Sequence, residues 1–226
     1  MKTPEVSRRD RRAGVPLARI AVMTGAMWLG GEARADVLNE NFNAGIPAAW
    51  TIEDYQPGGS ALTWGLTSPM TYDNYTGADG TAAMADSDSP GDGIEYDIAL
   101  LTPHLLLPSE SGLTLSYLSN YQNLAGSDFA DLDIRLVGSE SGTWINLLRW
   151  NEDHGDSFGN PIGEPVVVAL DDFAGQEVQF RFHYYDPNEN DWNWYWQVDN
   201  VVVTPAPAAG AVGVLGLGAM MRRRRG

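Results

Sequence analysis

Val178-Gln-Phe-Arg-Phe-His-Tyr-Tyr185 is the stretch that decides the fold class. Its apolar residues stand at every second position, with glutamine, arginine and histidine between them. Because the side chains of a β-strand alternate between two faces, this pattern predicts a strand with one buried face and one polar face. Residues 192–199, 113–117 and 131–136 show the same alternation.

Shorter segments complete an all-β pattern. Clusters of Gly, Pro, Asn and Asp separate the segments, as in residues 57–59, 89–93, 138–142 and 186–190, and no stretch predicts a long helix. Many short strands with such turns are typical of an antiparallel β-sandwich, here a jelly roll. The further predicted strands are 37–42, 81–85, 94–101, 143–150 and 165–170.

Charge divides the chain into three parts. Of the 14 lysines and arginines, seven lie in residues 1–35 and four in 222–225, which leaves Arg135, Arg149 and Arg181 between them. Residues 36–204 hold 27 acidic side chains, for a formal charge of −24. This surplus repels phosphates and excludes nucleic acid as a partner. Such a negative charge is typical of a protein in a salty medium, where counter-ions screen the self-repulsion, or of one whose carboxylates bind divalent cations. The absence of cysteine excludes thiol catalysis and Cys-ligated zinc.

The amino end has the order of a secretory signal peptide. Basic residues at 8–12 precede the apolar run 20–31, and Ala33-Arg34-Ala35 forms a small-x-small cleavage pattern. We therefore expect residues 1–35 to be a signal peptide and the protein to be exported to the cell envelope, the cell surface or the medium.

The carboxyl end, residues 204–226, joins a proline-rich linker to an apolar run and four arginines. The run is short for a permanent span, so we expect transient membrane association. With Pro205-Ala206-Pro207 in place of Pro-Glu-Pro, the tail resembles the PEP-CTERM sorting signals. That resemblance implies an exosortase-type processing enzyme as a partner.

Residues 36–203, the predicted domain, resemble the choice-of-anchor J family, which is similar to cleaved-adhesin and MAM-type jelly rolls. The resemblance rests on the opening Asn39-Glu-Asn-Phe-Asn, on Ala83-Met-Ala-Asp-Ser-Asp88, and on Trp194-Tyr-Trp-Gln-Val-Asp-Asn-Val201. It implies a binding or adhesion module that often carries calcium and is not an enzyme.

Calcium is the ion that the acidic motifs favour. Asp86 and Asp88 point to the same side of an extended segment, and Ca²⁺ prefers carboxylate and carbonyl oxygens. The family resemblance adds Glu40 and Asp199, since the first and last strands of such jelly rolls meet. We therefore expect one Ca²⁺ site formed by Glu40, Asp86, Asp88 and Asp199. The alternative is that these are solvated loop acids.

Aromatic residues supply candidates for ligand binding. Trp192, Trp194 and Trp196 share one strand face, where they either bind sugar rings or, as we expect, belong to the core. Tyr195 on the opposite strand face, with Trp64, Tyr72 and Tyr75 in a loop-rich region, is expected to form the exposed ligand surface.

Catalytic patterns are weak. Glu152, Asp153, His154 and Asp156 form the densest titratable cluster. We expect a solvated turn here, and the alternative is that His154 serves as a metal ligand or a general base. The sequence therefore predicts a non-enzymatic module that binds an extracellular polysaccharide or a surface protein. The alternatives are a secreted carbohydrate-active enzyme on the same scaffold and a purely structural surface component.

Overall fold

Twelve strands form the framework of the described chain. The computed structural model describes residues 35–91, 93–124, 126–138, 142–156, 163–187 and 193–205. A short 3₁₀ helix, Asp171–Phe173, joins the tenth and eleventh strands. The strands are β1 (Leu38–Glu40), β2 (Thr51–Asp54), β3 (Trp64–Leu66), β4 (Ala83–Asp86), β5 (Asp97–Leu101), β6 (Leu105–Leu106), β7 (Thr114–Gln122), β8 (Phe129–Leu136), β9 (Ile145–Trp150), β10 (Glu164–Ala169), β11 (Glu177–Tyr185) and β12 (Tyr195–Thr204).

Two antiparallel sheets of six strands each form a sandwich. Sheet A has the order β10-β7-β12-β4-β3, and β1 pairs with β12. Sheet B has the order β2-β5-β11-β8-β9, and β6 pairs with β11. The predicted all-β, antiparallel jelly-roll fold is confirmed.

The core lies between β11 of sheet B and β12 of sheet A. Phe180, Phe182 and Tyr184 of β11 are fully buried, as the alternation in 178–185 predicts. Trp196 of β12 is also fully buried, and its ring lies 5.8 Å from that of Phe182. The interpretation of the tryptophan strand as core is confirmed for Trp196. Trp194 is only half-buried, and Trp192 lies outside the described residues.

A loop covers the outer face of sheet A. Residues 67–81, here called the covering loop, cross the polar side of β12. The backbone N–H of Tyr75 donates to Gln197 Oε1 at 2.8 Å, and Gln197 Nε2 donates to the carbonyl of Asp73 at 3.1 Å. The backbone at Gly163 approaches the loop so closely that a Cβ on this residue would lie 2.2 Å from the carbonyl oxygen of Thr76. Sheet A therefore has little open surface along β12.

A buried polar network lies between the sheets. Tyr121 Oη donates to Asp128 Oδ1 at 2.9 Å, and Tyr96 Oη donates to Asp128 Oδ2 at 3.3 Å. Asn193 Nδ2 donates to Asp186 Oδ2 at 3.2 Å. Burial raises the pKa of Asp128 to about 6, although hydrogen bonds from tyrosines oppose the rise.

The two predicted processing signals lie outside the described residues, except for Ala35, Thr204 and Pro205. They stay predictions. Within the part of the chain that the structure describes, no helix has the length and apolar character needed to cross a membrane.

Candidate functional site

Two of the four aromatic residues predicted to form an exposed ligand surface are buried instead. Trp64 is 2 % exposed and Tyr195 is fully buried. Tyr195 does point to the polar side of its strand, but the covering loop places Tyr72 and Tyr75 over it, with ring centroids 5.7 and 5.8 Å away. Trp64 packs edge-on against Trp196 in the core. The prediction of exposure is therefore wrong for these two residues.

Tyr72 and Tyr75 belong to the covering loop and are half-buried. Tyr72 Oη donates to Asp86 Oδ1 at 3.2 Å and to Asp88 Oδ2 at 3.1 Å. Next to the loop is a groove of about 450 Å³ that Tyr72 lines. The role of Tyr72 and Tyr75 in ligand binding stays a prediction.

The four predicted calcium ligands fall into two separate pairs. Asp86 lies opposite Tyr195 on β12, whereas Asp199 is four residues further along the same strand. At about 3.3 Å per residue, this places the two positions roughly 13 Å apart. Glu40 lies at the Asp199 end, because β1 pairs Glu40 with Val201. The first and last strands do meet as expected, but the Asp86 loop is not beside them, so one four-acid site does not form.

Glu40 and Asp199 form the pair that suits a hard cation. Asp199 is fully buried, and its oxygens accept from Asn74 Nδ2 at 2.8 Å and from the backbone N–H of Asn200 at 2.7 Å. Burial, with a smaller contribution from the charge of Glu40, raises the pKa of Asp199 to about 6. Phe42 and Asn200, which follow the two acids, have left-handed φ angles of 53° and 50°. Such backbone strain is often found at binding sites.

Asp86 and Asp88 are held by their own loop. Asp86 Oδ1 accepts the backbone N–H groups of Asp88 at 3.0 Å and Ser89 at 3.2 Å. The hydroxyl of Tyr72 donates to the same oxygen, so Oδ1 of Asp86 accepts from two turn amides and from the covering loop. The pair thus shapes the turn after β4.

The outer face of sheet B carries charged and polar side chains in ordered rows. Antiparallel register aligns Glu53, His183, Asp131 and Arg149 in one row across β2, β11, β8 and β9. A neighbouring row holds Arg181, Asp133 and Asn146, and a third holds Gln179 and Arg135.

Ion pairs fix the centre of this face. Arg149 binds Asp131 through two nitrogens, at 2.9 and 2.7 Å, and Arg181 Nε donates to Asp133 Oδ2 at 2.7 Å. His183 Nε2 donates to Asp97 Oδ1 at 2.5 Å. The hydrogen bond to Asp131 raises the pKa of Arg149, so this side chain stays charged. A fixed, pre-paired polar centre loses little side-chain entropy when a ligand binds.

Aromatic rings surround the polar centre. Tyr55 meets His183 edge-on at 5.7 Å, and Tyr185 stacks on Phe129 at 5.4 Å. Trp144, just before β9, lies under the guanidinium groups of Arg135 at 4.5 Å and Arg181 at 4.6 Å. These rings offer flat apolar surface beside hydrogen-bonding groups, which is the composition of a small-molecule or glycan site.

All three arginines between residues 36 and 204 lie on this one face. The sequence contained a signal for them, since Arg181 and Arg135 occupy the polar positions of alternating strands. It gave no signal for Tyr55 and Trp144, which lie at strand ends and reach the face through the fold.

Asp131, Asp133 and His183 lie close enough together to hold a metal ion, with one ligand atom of each within 4.8 Å of the others. Both carboxylates, however, already pair with arginines. A cation would have to displace two guanidinium groups, so the geometry favours a structural ion-pair network.

The predicted titratable cluster lies in the segment after β9. His154 stacks on Trp150 at 3.8 Å and its Nδ1 lies 2.9 Å from Glu164 Oε2. Asp153 Oδ1 accepts the backbone N–H of Asn123 at 2.7 Å, and Glu152 is exposed. These contacts anchor the segment against β7 and β10, which suits the interpretation as a turn.

No protein-family model matches the chain. Two curated relatives from Porphyromonas gingivalis align with 120 residues, or 51 % of this chain: Hemagglutinin A (strain W83) at 29 % identity and Lys-gingipain W83 at 28 %. The aligned part spans only 5 % and 7 % of these relatives' lengths.

A solved structure shares the fold. The K3 cleaved adhesin domain of Lys-gingipain from P. gingivalis superposes with a TM-score of 0.51 at 24 % identity, over 75 % of this chain and 98 % of that domain. The described residues thus have the fold of a cleaved adhesin domain.

Proposed function

We propose that this protein is an exported, non-enzymatic binding module that holds an extracellular polysaccharide on the outer face of sheet B. The observation that carries the proposal is the concentration of the domain's three arginines and four aromatic side chains on this face. Similarity to proteins named as a hemagglutinin and an adhesin domain supports binding as the role.

Sugar recognition follows from the chemistry of the face. Tyr55 is 37 % exposed and offers a ring on which a pyranose can pack, while Arg149, whose side chain is 53 % exposed, keeps donors in solvent. Trp144 lies half-buried under Arg135 and Arg181 and positions their guanidinium groups for the ligand. Asn146 at the edge adds an exposed amide. Because β11, β8 and β9 are hydrogen-bonded neighbours in one sheet, their backbones set the spacing of these groups before a ligand binds, which lowers the entropic cost of binding.

Replacing Trp144 or Tyr55 by alanine should weaken polysaccharide binding about tenfold or more, as expected for aromatic anchors. Affinity electrophoresis against soluble xylan, mannan, galactan and cellulose derivatives measures the effect. Val167→Ala is the matched control, because Val167 is 67 % exposed on β10 of the other sheet. Equal retention of Trp144→Ala, Tyr55→Ala and wild type on the bound polymer would refute the assignment of this face.

Calcium at Glu40 and Asp199 is the second part of the proposal. The charge of Glu40 acts on Asp199, which is buried with a raised pKa, so a divalent cation would offset the cost of their charge. Glu40, Asp199 and nearby carbonyl oxygens would hold the ion. Its role would be to tie β1 to β12 and the covering loop.

Chelation should lower the melting temperature. If Ca²⁺ is present at about 100 times its Kd, binding contributes about 2.7 kcal/mol, so EDTA should lower Tm by roughly 5–10 °C. Glu40→Gln should abolish this shift, whereas Asp88→Asn, in the other acidic pair, should preserve it. A shift that survives in Glu40→Gln and vanishes in Asp88→Asn would move the ion to the turn after β4.

A further inference from the structure

We infer that the ligand on the outer face of sheet B carries an anionic substituent, a carboxylate or a sulfate ester on a sugar, and that Arg135 receives it. This inference rests on the proposed function and specifies its ligand class. Arg135 is the one arginine on the face that has no carboxylate partner among the described residues, because Arg149 pairs with Asp131 and Arg181 with Asp133.

A neutral side chain holds Arg135 in place. Its Nε and Nη2 both donate to Gln179 Oε1, at 3.0 and 2.6 Å. Gln179 is itself fixed, since its Nε2 donates to the carbonyl of Thr102 at 2.7 Å. A guanidinium has five N–H donors, so these contacts leave about three for a ligand. Stacking on Trp144 fixes the plane of the group.

Beside Arg135 there is room for a small anion. Arg135 lines a pocket of about 200 Å³ together with His104 and residues 136–138 and 142. A water molecule occupies about 30 Å³ in the liquid, so a carboxylate or sulfate fits with part of its sugar. The Nδ1 atom of His104 lies 4.0 Å from Glu177, and both side chains are about half exposed, so solvent screens that pair.

The charge of the rest of the domain makes this position distinctive. Residues 36–204 carry a formal charge of −24, so most of the surface repels an anion. At physiological salt the repulsion is screened beyond about 8 Å, and a guanidinium binds a carboxylate or sulfate bidentately at short range. The ligand that fits is therefore a largely neutral polymer with isolated anionic groups, not a continuous polyanion.

Two matched polymer pairs test the inference at 0.15 M salt. One is xylan substituted with glucuronic acid, against the same xylan after reduction of its carboxyl groups; the other is a sulfated galactan against its desulfated form. Wild type should bind the charged member of one pair roughly tenfold more tightly, as for a charge-assisted hydrogen bond. Which pair shows the preference identifies the anion.

In Arg135→Gln the ratio of the affinities for the charged and neutral members of the pair should fall to about one, while Arg135→Lys should retain part of the preference. Circular dichroism and Tm show that each variant is folded. Equal binding of both members of each pair by wild type, or an unchanged preference in Arg135→Gln, overturns the inference and leaves the proposed function standing. If Trp144→Ala binds every polymer as wild type does, the proposed function fails instead.

Discussion

Replacing Trp196 by alanine should destabilise the domain by about 3–5 kcal/mol, the range for removal of a large aromatic side chain from a core. Trp196 is fully buried, contacts the rings of Trp64 and Phe182 from the two sheets, and donates from Nε1 to Ser119 Oγ at 2.9 Å. The substitution therefore opens a cavity and removes a buried hydrogen bond together. Urea unfolding measures the loss, and Tm should fall by about 10 °C or more.

Trp144→Ala is the comparison for this effect. Trp144 is half-buried on the outer face of sheet B and contacts Arg135 and Arg181. Losing two such cation–π contacts should cost about 1–2 kcal/mol. The two tryptophans thus separate stability from binding: Trp196→Ala unfolds readily, and Trp144→Ala stays folded and loses polysaccharide. Similar destabilisation by both substitutions would contradict the division between core and binding face.

The alternation of apolar and polar residues predicted the strands that have one face buried in the core. In β11 the apolar positions are buried and the polar positions lie on the outer face of sheet B, as the period of two requires. The short strands β2 and β3 gave no such signal, because three or four residues are too few for a pattern. Their positions depend on pairing with β5 and β4.

The covering loop explains why the predicted aromatic surface was half wrong. Tyr195 has the polar-side position that a single strand's pattern assigns to solvent. Tyr72 and Tyr75 lie more than a hundred residues earlier in the sequence and cover it only in the folded chain. Periodicity reports which face a side chain occupies, and it does not report what packs on that face.

The acidic residues show the same limit. The resemblance placed Glu40, Asp86, Asp88 and Asp199 together, and the pairing of β1 with β12 brings two of them to one place. Asp86 is separated from Asp199 by the register of β4 on β12. Register depends on all the cross-strand contacts of a sheet, so short motifs did not reveal it.

The buried carboxyl group of Asp128 should make stability fall as pH rises. Asp128 is fully buried among Tyr96, Tyr121 and Tyr184, near the second buried acid Asp186. Burial raises its pKa from an ordinary value of 3.8 to about 6. The folded state therefore holds the proton more tightly than the unfolded state, so the stabilisation by protonation is present below pH 4 and is lost between about pH 4 and pH 6.

Asp128→Asn removes this titration. A shift of about two pH units corresponds to about 3 kcal/mol. Wild type should lose about this much stability between pH 4 and pH 7 through Asp128, and the variant should not. The free energy of unfolding of the variant minus that of wild type should therefore be more positive at pH 7 than at pH 4 by about that amount. Urea unfolding at pH 4, 5, 6 and 7 in EDTA gives this difference without a contribution from calcium. The amide in Asp128→Asn also changes the hydrogen bonds of the tyrosine hydroxyls, but this effect on stability is the same at each pH and cancels when two pH values are compared. A difference that is the same at pH 4 and pH 7 would show that the pKa of Asp128 is not raised in the folded protein, because donors in the network offset its burial.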